Sequence, residues 1–135
     1  MDACQEYRRP TLRVGIDVAD VSAVLSSIET FGDRYLDRVY TAHELATCGR
    51  RGAVSAARLG ARFAAKEAFI KVIRPAGPHP DWRSIGVRSS PGGACELELS
   101  GSALDLAAEA GICELAVSLT HEGAVAAALV VALCT

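Results

Sequence analysis

The sequence has little lysine, few aromatic rings and almost no net charge. Lys66 and Lys71 are the only lysines among 14 cationic residues, which face 16 acidic ones. That balance argues against a general nucleic-acid binder, which carries a basic excess, but leaves room for a local phosphate site made of a few cations. No apolar run reaches the roughly 18–20 residues of a membrane span, and the opening MDACQEYRRP lacks the apolar segment of a signal peptide. The expected location is therefore cytoplasmic. The five cysteines, Cys4, Cys48, Cys95, Cys113 and Cys134, contain no CxxC pair. The expectation is buried reduced thiols rather than a zinc site or a disulfide framework. A G-x-G-x-x-G or Walker-type phosphate loop is also missing. Half of the 135 residues are hydrophobic, enough for one domain spanning 1–135 with a core of its own.

What is present divides into clear segments. Residues 1–10 read as a loose polar leader. In LRVGIDV, the aliphatic residues Leu12, Val14, Ile16 and Val18 alternate with Arg13, Gly15 and Asp17, the period of a half-buried strand. Asp17 therefore lies on the face opposite the aliphatic set. Asp20 is placed to cap a helix carrying Val21, Val24, Leu25, Ile28 and Phe31, which Gly32 ends. RYLDRVY predicts a short helix, and Thr41 with Glu44 forms a capping box that opens another. CGRRGAVS reads as a loop, followed by a long helix from about Ser55 to Ile73 that the three prolines of RPAGPHPDWRS break. IGVRS and ACELELS flank a turn, Ser102 to Ala110 is helical, and CELAVSL pairs with AVAAALVVAL across THEG. Hairpin-connected strands with helices grouped elsewhere predict an α+β fold: an antiparallel sheet with one long central helix and shorter helices. The apolar run from Ala124 to Leu133 fits a strand covered on both faces, in part by other subunits.

The long helix is the unusual part. ARFAAKEAFIK sets Arg62, Lys66, Glu67 and Lys71 among alanines and aromatic or aliphatic residues. Glu67 and Lys71 stand one turn apart, which on a solvated surface is worth only a few tenths of a kcal/mol. In apolar surroundings charges need partners, because desolvating them unpaired costs several kcal/mol. Lys66 is expected to be structural support, paired with Asp17 or Glu67. Singly, Asp17 reads as a turn or cap residue and His121 as a polar turn residue. Together, two carboxylates, two or three cations and an imidazole are the inventory for a divalent cation bridging protein carboxylates to a phosphorylated substrate.

VGIDVADV, RFAAKEAFIK and VSLTHEGAVAAALV, with RYLDRVYTAHEL between the first two, resemble the blocks of holo-[acyl-carrier-protein] synthases, the small group of 4′-phosphopantetheinyl transferases. The match spans residues 12–133 with order and spacing kept. The resemblance implies an enzyme that moves the phosphopantetheine arm of coenzyme A onto a serine of an apo acyl carrier protein of a fatty-acid or polyketide pathway. Adenosine 3′,5′-bisphosphate would be released. It also implies a homotrimer with sites between subunits. Position by position, it makes Asp17 and Glu67 ligands of Mg²⁺ and Lys71 a contact of the coenzyme A phosphates. Arg62 and His121 fall on positions that hold the nucleotide. Asp17, Glu67 and Lys71 form the implied catalytic set, with removal of the serine proton assigned to Glu67 or to water it orients. A non-catalytic scaffold that binds coenzyme A or a carrier protein is the alternative; it would not need both carboxylates.

Two departures stand out. Where better-known members carry a Gly-rich GTG after the last lysine, this chain reads VIRPAGPHPDW, and Arg74 is the candidate to replace that phosphate contact. Between Val14 and Asp33 there is no Lys or Arg, so Arg34, Arg38, Arg50 and Arg51 become the expected basic surface toward an acidic carrier.

Overall fold

The structure, a computed structural model, describes residues 9–135; the leader through residue 8, with Cys4, lies outside the described residues. Strand β1 (Thr11–Asp20) runs straight into α1 (Val21–Phe31), followed by α2 (Asp33–Val39) and α3 (Ala42–Cys48). The long α4 (Gly52–Ile73) comes next, then a 3₁₀ turn (Trp82–Ser84), β2 (Ile85–Ser89), β3 (Cys95–Leu99), α5 (Gly101–Glu109), β4 (Ile112–Glu122) and β5 (Val125–Cys134). The expected α+β antiparallel architecture is present, divided into a three-stranded sheet in the order β1-β5-β4 and a separate β2-β3 hairpin. No helix among the described residues is long and apolar enough to cross a membrane.

Local chemistry accounts for the helix ends. Asp20 accepts the Ser22 amide at 2.9 Å and begins α1 at Val21. Thr41 Oγ1 accepts the Glu44 amide at 3.2 Å while Glu44 Oε1 accepts the Thr41 amide at 2.8 Å, closing the capping box that opens α3. Each such cap stabilises by about 1 kcal/mol. At its other end α4 stops on Arg74 with φ 48° and ψ 61°, the one left-handed non-glycine among the described residues. An L side chain there costs about 1 kcal/mol or more, and the following Pro75 narrows the backbone further.

The core lies between α4 and the three-stranded sheet, and one glycine sets the spacing. A Cβ on Gly15 would run into the Ala68 carbonyl oxygen of α4, so β1 and the helix meet backbone to backbone. This fixes which face of β1 turns inward: Gly15 and Ala19 are buried and Asp17 is partly buried. The aliphatic set points away from α4. Leu12, Val14, Ile16 and Val18 are 71%, 58%, 59% and 61% exposed. Val14 and Ile16 pair in register with Val131 and Leu129 of β5, which continue the same outward row. The alternation thus identified the strand, but the face it turns to the core is the small and polar one. The thiols also differ from expectation: Cys48 and Cys134 are buried, whereas Cys95 is half-buried and Cys113 exposed.

Candidate active site

Asp17 comes from the inward face of β1, opposite Ala128 of β5, and Lys71 reaches it from the last turn of α4. The Lys71 ammonium donates to Asp17 Oδ1 at 3.1 Å and to the Ile16 carbonyl at 2.8 Å. The Asp17 side chain is 19% exposed. Glu67, one turn earlier on α4, is half-buried and has no hydrogen-bond or ion-pair partner among the described residues. Burial pushes its carboxyl above the usual range and the neighbouring Asp17 charge pushes it further, against the pull of Lys71 and His79. Two carboxylates of like charge therefore face one lysine already committed to one of them.

His79 was not singled out from sequence, because it follows a proline-broken segment with no periodicity to place it. The fold brings it back toward Glu67. Its Nδ1–H donates to the Pro80 carbonyl at 2.8 Å, and its ring lies on Trp82 with centroids 4.8 Å apart. Trp82 packs in turn on Phe63, at 5.1 Å, one turn before Glu67 on α4. The three rings form a row whose His79 end lies near enough to Glu67 to act on its charge.

Arg62 and His121 do not join this group. Five residues before Glu67, Arg62 leaves α4 about 140° around the axis. It lines a different cleft of about 390 Å³ with Arg58, Ser89, Cys95 and His121. Its guanidinium donates to Ser89 Oγ at 3.0 Å and to the Arg58 carbonyl at 3.1 Å, leaving a buried Nε without a partner. Within a single chain, the acidic and basic halves of the candidate site sit on opposite flanks of α4.

Lys66 goes elsewhere, correcting the expectation that it pairs with Asp17 or Glu67. It is fully buried against Glu44, Nζ to Oε1 at 2.9 Å, and also donates to the carbonyls of Trp82 at 2.9 Å and Ile85 at 2.6 Å. All three ammonium protons are thereby satisfied. Glu44 Oε2 accepts the Val87 amide at 2.8 Å, so one buried pair ties α3, α4 and β2 together.

The donor set decides which metal it can hold. Two carboxylates match Mg²⁺, which binds through one or two protein carboxylates and completes its octahedron with water and substrate oxygens. They do not match the four N or S ligands of a structural zinc, and no group of three His, Cys, Asp or Glu suited to a metal occurs among the described residues. An acidic pair able to hold a hard cation, beside one lysine, would suit a protein that handles a phosphorylated substrate. The chain belongs to the 4′-phosphopantetheinyl transferase superfamily, whose model matches residues 13–132.

Relatives agree along nearly the whole length. The holo-[acyl-carrier-protein] synthase of Halothermothrix orenii is 36% identical over 118 residues, covering 87% of this chain and 94% of the relative. That of Myxococcus xanthus is 40% identical over 119 residues, covering 87% and 91%. Among solved structures, the ACPS–CoA complex of Chronobacterium ammoniagenes superposes with a TM-score of 0.80 at 27% identity, covering 93% of this chain and 98% of that one.

Proposed function

We propose that this chain, acting as a single domain, transfers the 4′-phosphopantetheine group of coenzyme A to a serine of an apo acyl carrier protein. Adenosine 3′,5′-bisphosphate is released. The observation that carries this reading is the meeting of Asp17, Glu67 and Lys71 at the junction of β1 and α4. The serine hydroxyl gives its proton to Glu67 or to water that Glu67 orients, and its oxygen forms a bond to the phosphorus bearing pantetheine as the bond to the departing bisphosphate breaks. Asp17 and Glu67 would hold Mg²⁺, which supplies charge neutralisation at the pyrophosphate when bound. Lys71, braced by Asp17 and the Ile16 carbonyl, keeps a third ammonium proton for a phosphate oxygen. One such cation about 5 Å from a phosphate contributes roughly 3 kcal/mol at an effective dielectric of 20. Protein catalysis of this kind is mainly positioning and electrostatic stabilisation.

Two further elements belong to the proposal. Arg62 and His121 complete the site from a neighbouring copy, in a cytoplasmic homotrimer that covers the outward aliphatic row of β1. Burying each of those side chains would contribute about 1.5–2 kcal/mol. The variant Ile16→Glu is expected to sediment as a monomer and lose transfer together with assembly; a wild-type chain that turns over as a monomer would end the shared-site reading. The carrier meets Arg34 and Arg38, which line a cleft of about 330 Å³ with the exposed Phe31 and the half-buried Tyr35. Arg50 is withdrawn from that role because Asp33 and Asp37 hold it at 2.8 and 3.2 Å. The direct test incubates the protein with coenzyme A, Mg²⁺ and an apo carrier protein. The carrier must gain the mass of one phosphopantetheine on its serine; tight binding of intact coenzyme A with no gain would favour a scaffold instead.

A further inference from the structure

We propose that Arg83 is a recognition residue for the carrier, holding an acidic side chain of that partner close to its reacting serine. It extends the Arg34–Arg38 surface across the 3₁₀ turn toward Glu67. This rests on the transferase reading above, and three features of the chain lead to it.

The first is continuity. Arg34 and Arg38 stand one turn apart on α2, on one face of the helix. Arg38 lines the cleft it shares with Arg34 and also a second, of about 460 Å³, together with His79, Trp82 and Arg83. Arg83 belongs in turn to a third cleft, of about 360 Å³, with His43, Arg88 and Glu98. Glu98 matches Arg88 at 3.0 Å and ends the run. Arg34, Arg38 and Arg83 are exposed and have no ion-pair partner among the described residues. Asp81, the acid of the middle cleft, accepts the Arg83 amide at 3.0 Å as a cap, and two guanidiniums outweigh it.

The second is that the fold gains nothing from the Arg83 charge. Burial pushes the Lys66 ammonium below its usual range, and Arg83 pushes it the same way, against the pull of Glu44 and Asp81. A guanidinium that repels a buried ammonium and pairs with no acid is a burden on the chain, which an acidic partner would relieve.

The third is position. His79, in the same cleft as Arg83, acts on the Glu67 charge, so a ligand filling that cleft lies beside the carboxylate assigned to the serine proton. The preceding helix α1 carries no Lys or Arg, which leaves the charge contacts to α2 and the 3₁₀ turn. Carboxylates one turn apart on a carrier helix match the spacing of Arg34 and Arg38. Arg83 then meets an acid nearer the serine, as a planar fork that can hold a carboxylate through two N–H groups.

The test compares wild type with Arg83→Ala, Arg83→Lys and Arg83→Glu, using coenzyme A, Mg²⁺ and an apo carrier protein. A second series of carriers has the acidic residues around the serine changed one at a time to lysine. Wild type must transfer to the unaltered carrier; if it does not, the transferase reading itself has failed. Given that activity, Arg83→Glu is expected to raise KM for the carrier about tenfold or more, Arg83→Ala about threefold and Arg83→Lys less. KM for coenzyme A should stay within about twofold. Added salt should weaken carrier use by wild type more than by Arg83→Glu. One of the lysine carriers should be poor for wild type and regain activity with Arg83→Glu, a rescue that a merely structural role does not give. The Arg83→Ala chain should melt no lower than wild type, separating lost docking from lost folding. An unchanged KM for the carrier, an equal penalty on coenzyme A, or rescue of none of the lysine carriers overturns the proposal.

Discussion

Replacing Glu67 by glutamine is expected to cut transfer to the carrier serine by about 10³-fold or more while the chain stays folded. Glutamine keeps the size of the side chain but removes the charge that, with Asp17, would hold Mg²⁺. The substitution should not weaken the fold, and the sign follows from titration. Glu67 has its carboxyl raised by burial and by Asp17. Between its unfolded and folded pKa values the folded chain therefore binds more protons than the unfolded one. Its contribution to stability falls as pH rises through that window, so at neutral pH the ionised Glu67 is a burden on the metal-free protein. Glu67→Gln removes that burden, and its melting temperature at pH 7, without Mg²⁺, should equal or exceed that of wild type. Carrier mass and calorimetry together check this. A variant that still converts carrier at near wild-type rate would remove Glu67 from the chemistry.

The largest effect on stability is expected at Lys66. Lys66→Met leaves the Glu44 carboxylate buried beside Val87 without its cation, and strands the carbonyls of Trp82 and Ile85. Breaking one partner of such a pair costs about 3–5 kcal/mol, or about 10–15 °C in melting temperature for a chain of this size. Exchanging both partners for apolar residues, Glu44→Leu with Lys66→Met, should recover only part. It removes the isolated charge but still deprives the amides of Thr41 and Val87 of an acceptor. Thermal melts of the two single variants and the double variant measure the coupling. A Lys66→Met chain within about 1 kcal/mol of wild type would contradict the buried-pair account.

Much of this architecture was legible in residue periodicity and caps. Asp20 and the Thr41–Glu44 box open helices where their chemistry predicts, and α4 is long because nothing between Gly52 and Ile73 interrupts it. What periodicity could not supply was orientation. An alternating strand has two faces, and the rule that aliphatic residues turn inward fails at β1 because α4 approaches too closely for any side chain at Gly15. The partner of Lys66 was hidden for a similar reason. Glu44 was already accounted for as a cap, and nothing local shows that its carboxylate serves α3, β2 and α4 together. Arg62 and His121 were grouped with the carboxylates because they share a family pattern, yet helical geometry sends Arg62 to the other flank. His79 had no readable signal at all, because its place depends on how a proline-rich return folds over Trp82.

The division of charged groups between the two sides of α4 has a consequence for the cell. If neither flank is sufficient alone, freshly made chains are mute until they meet copies of themselves, and output rises more steeply than protein abundance. Dilution would then act as an off-state without any inhibitor, imposed by mass action on the greasy strip along β1.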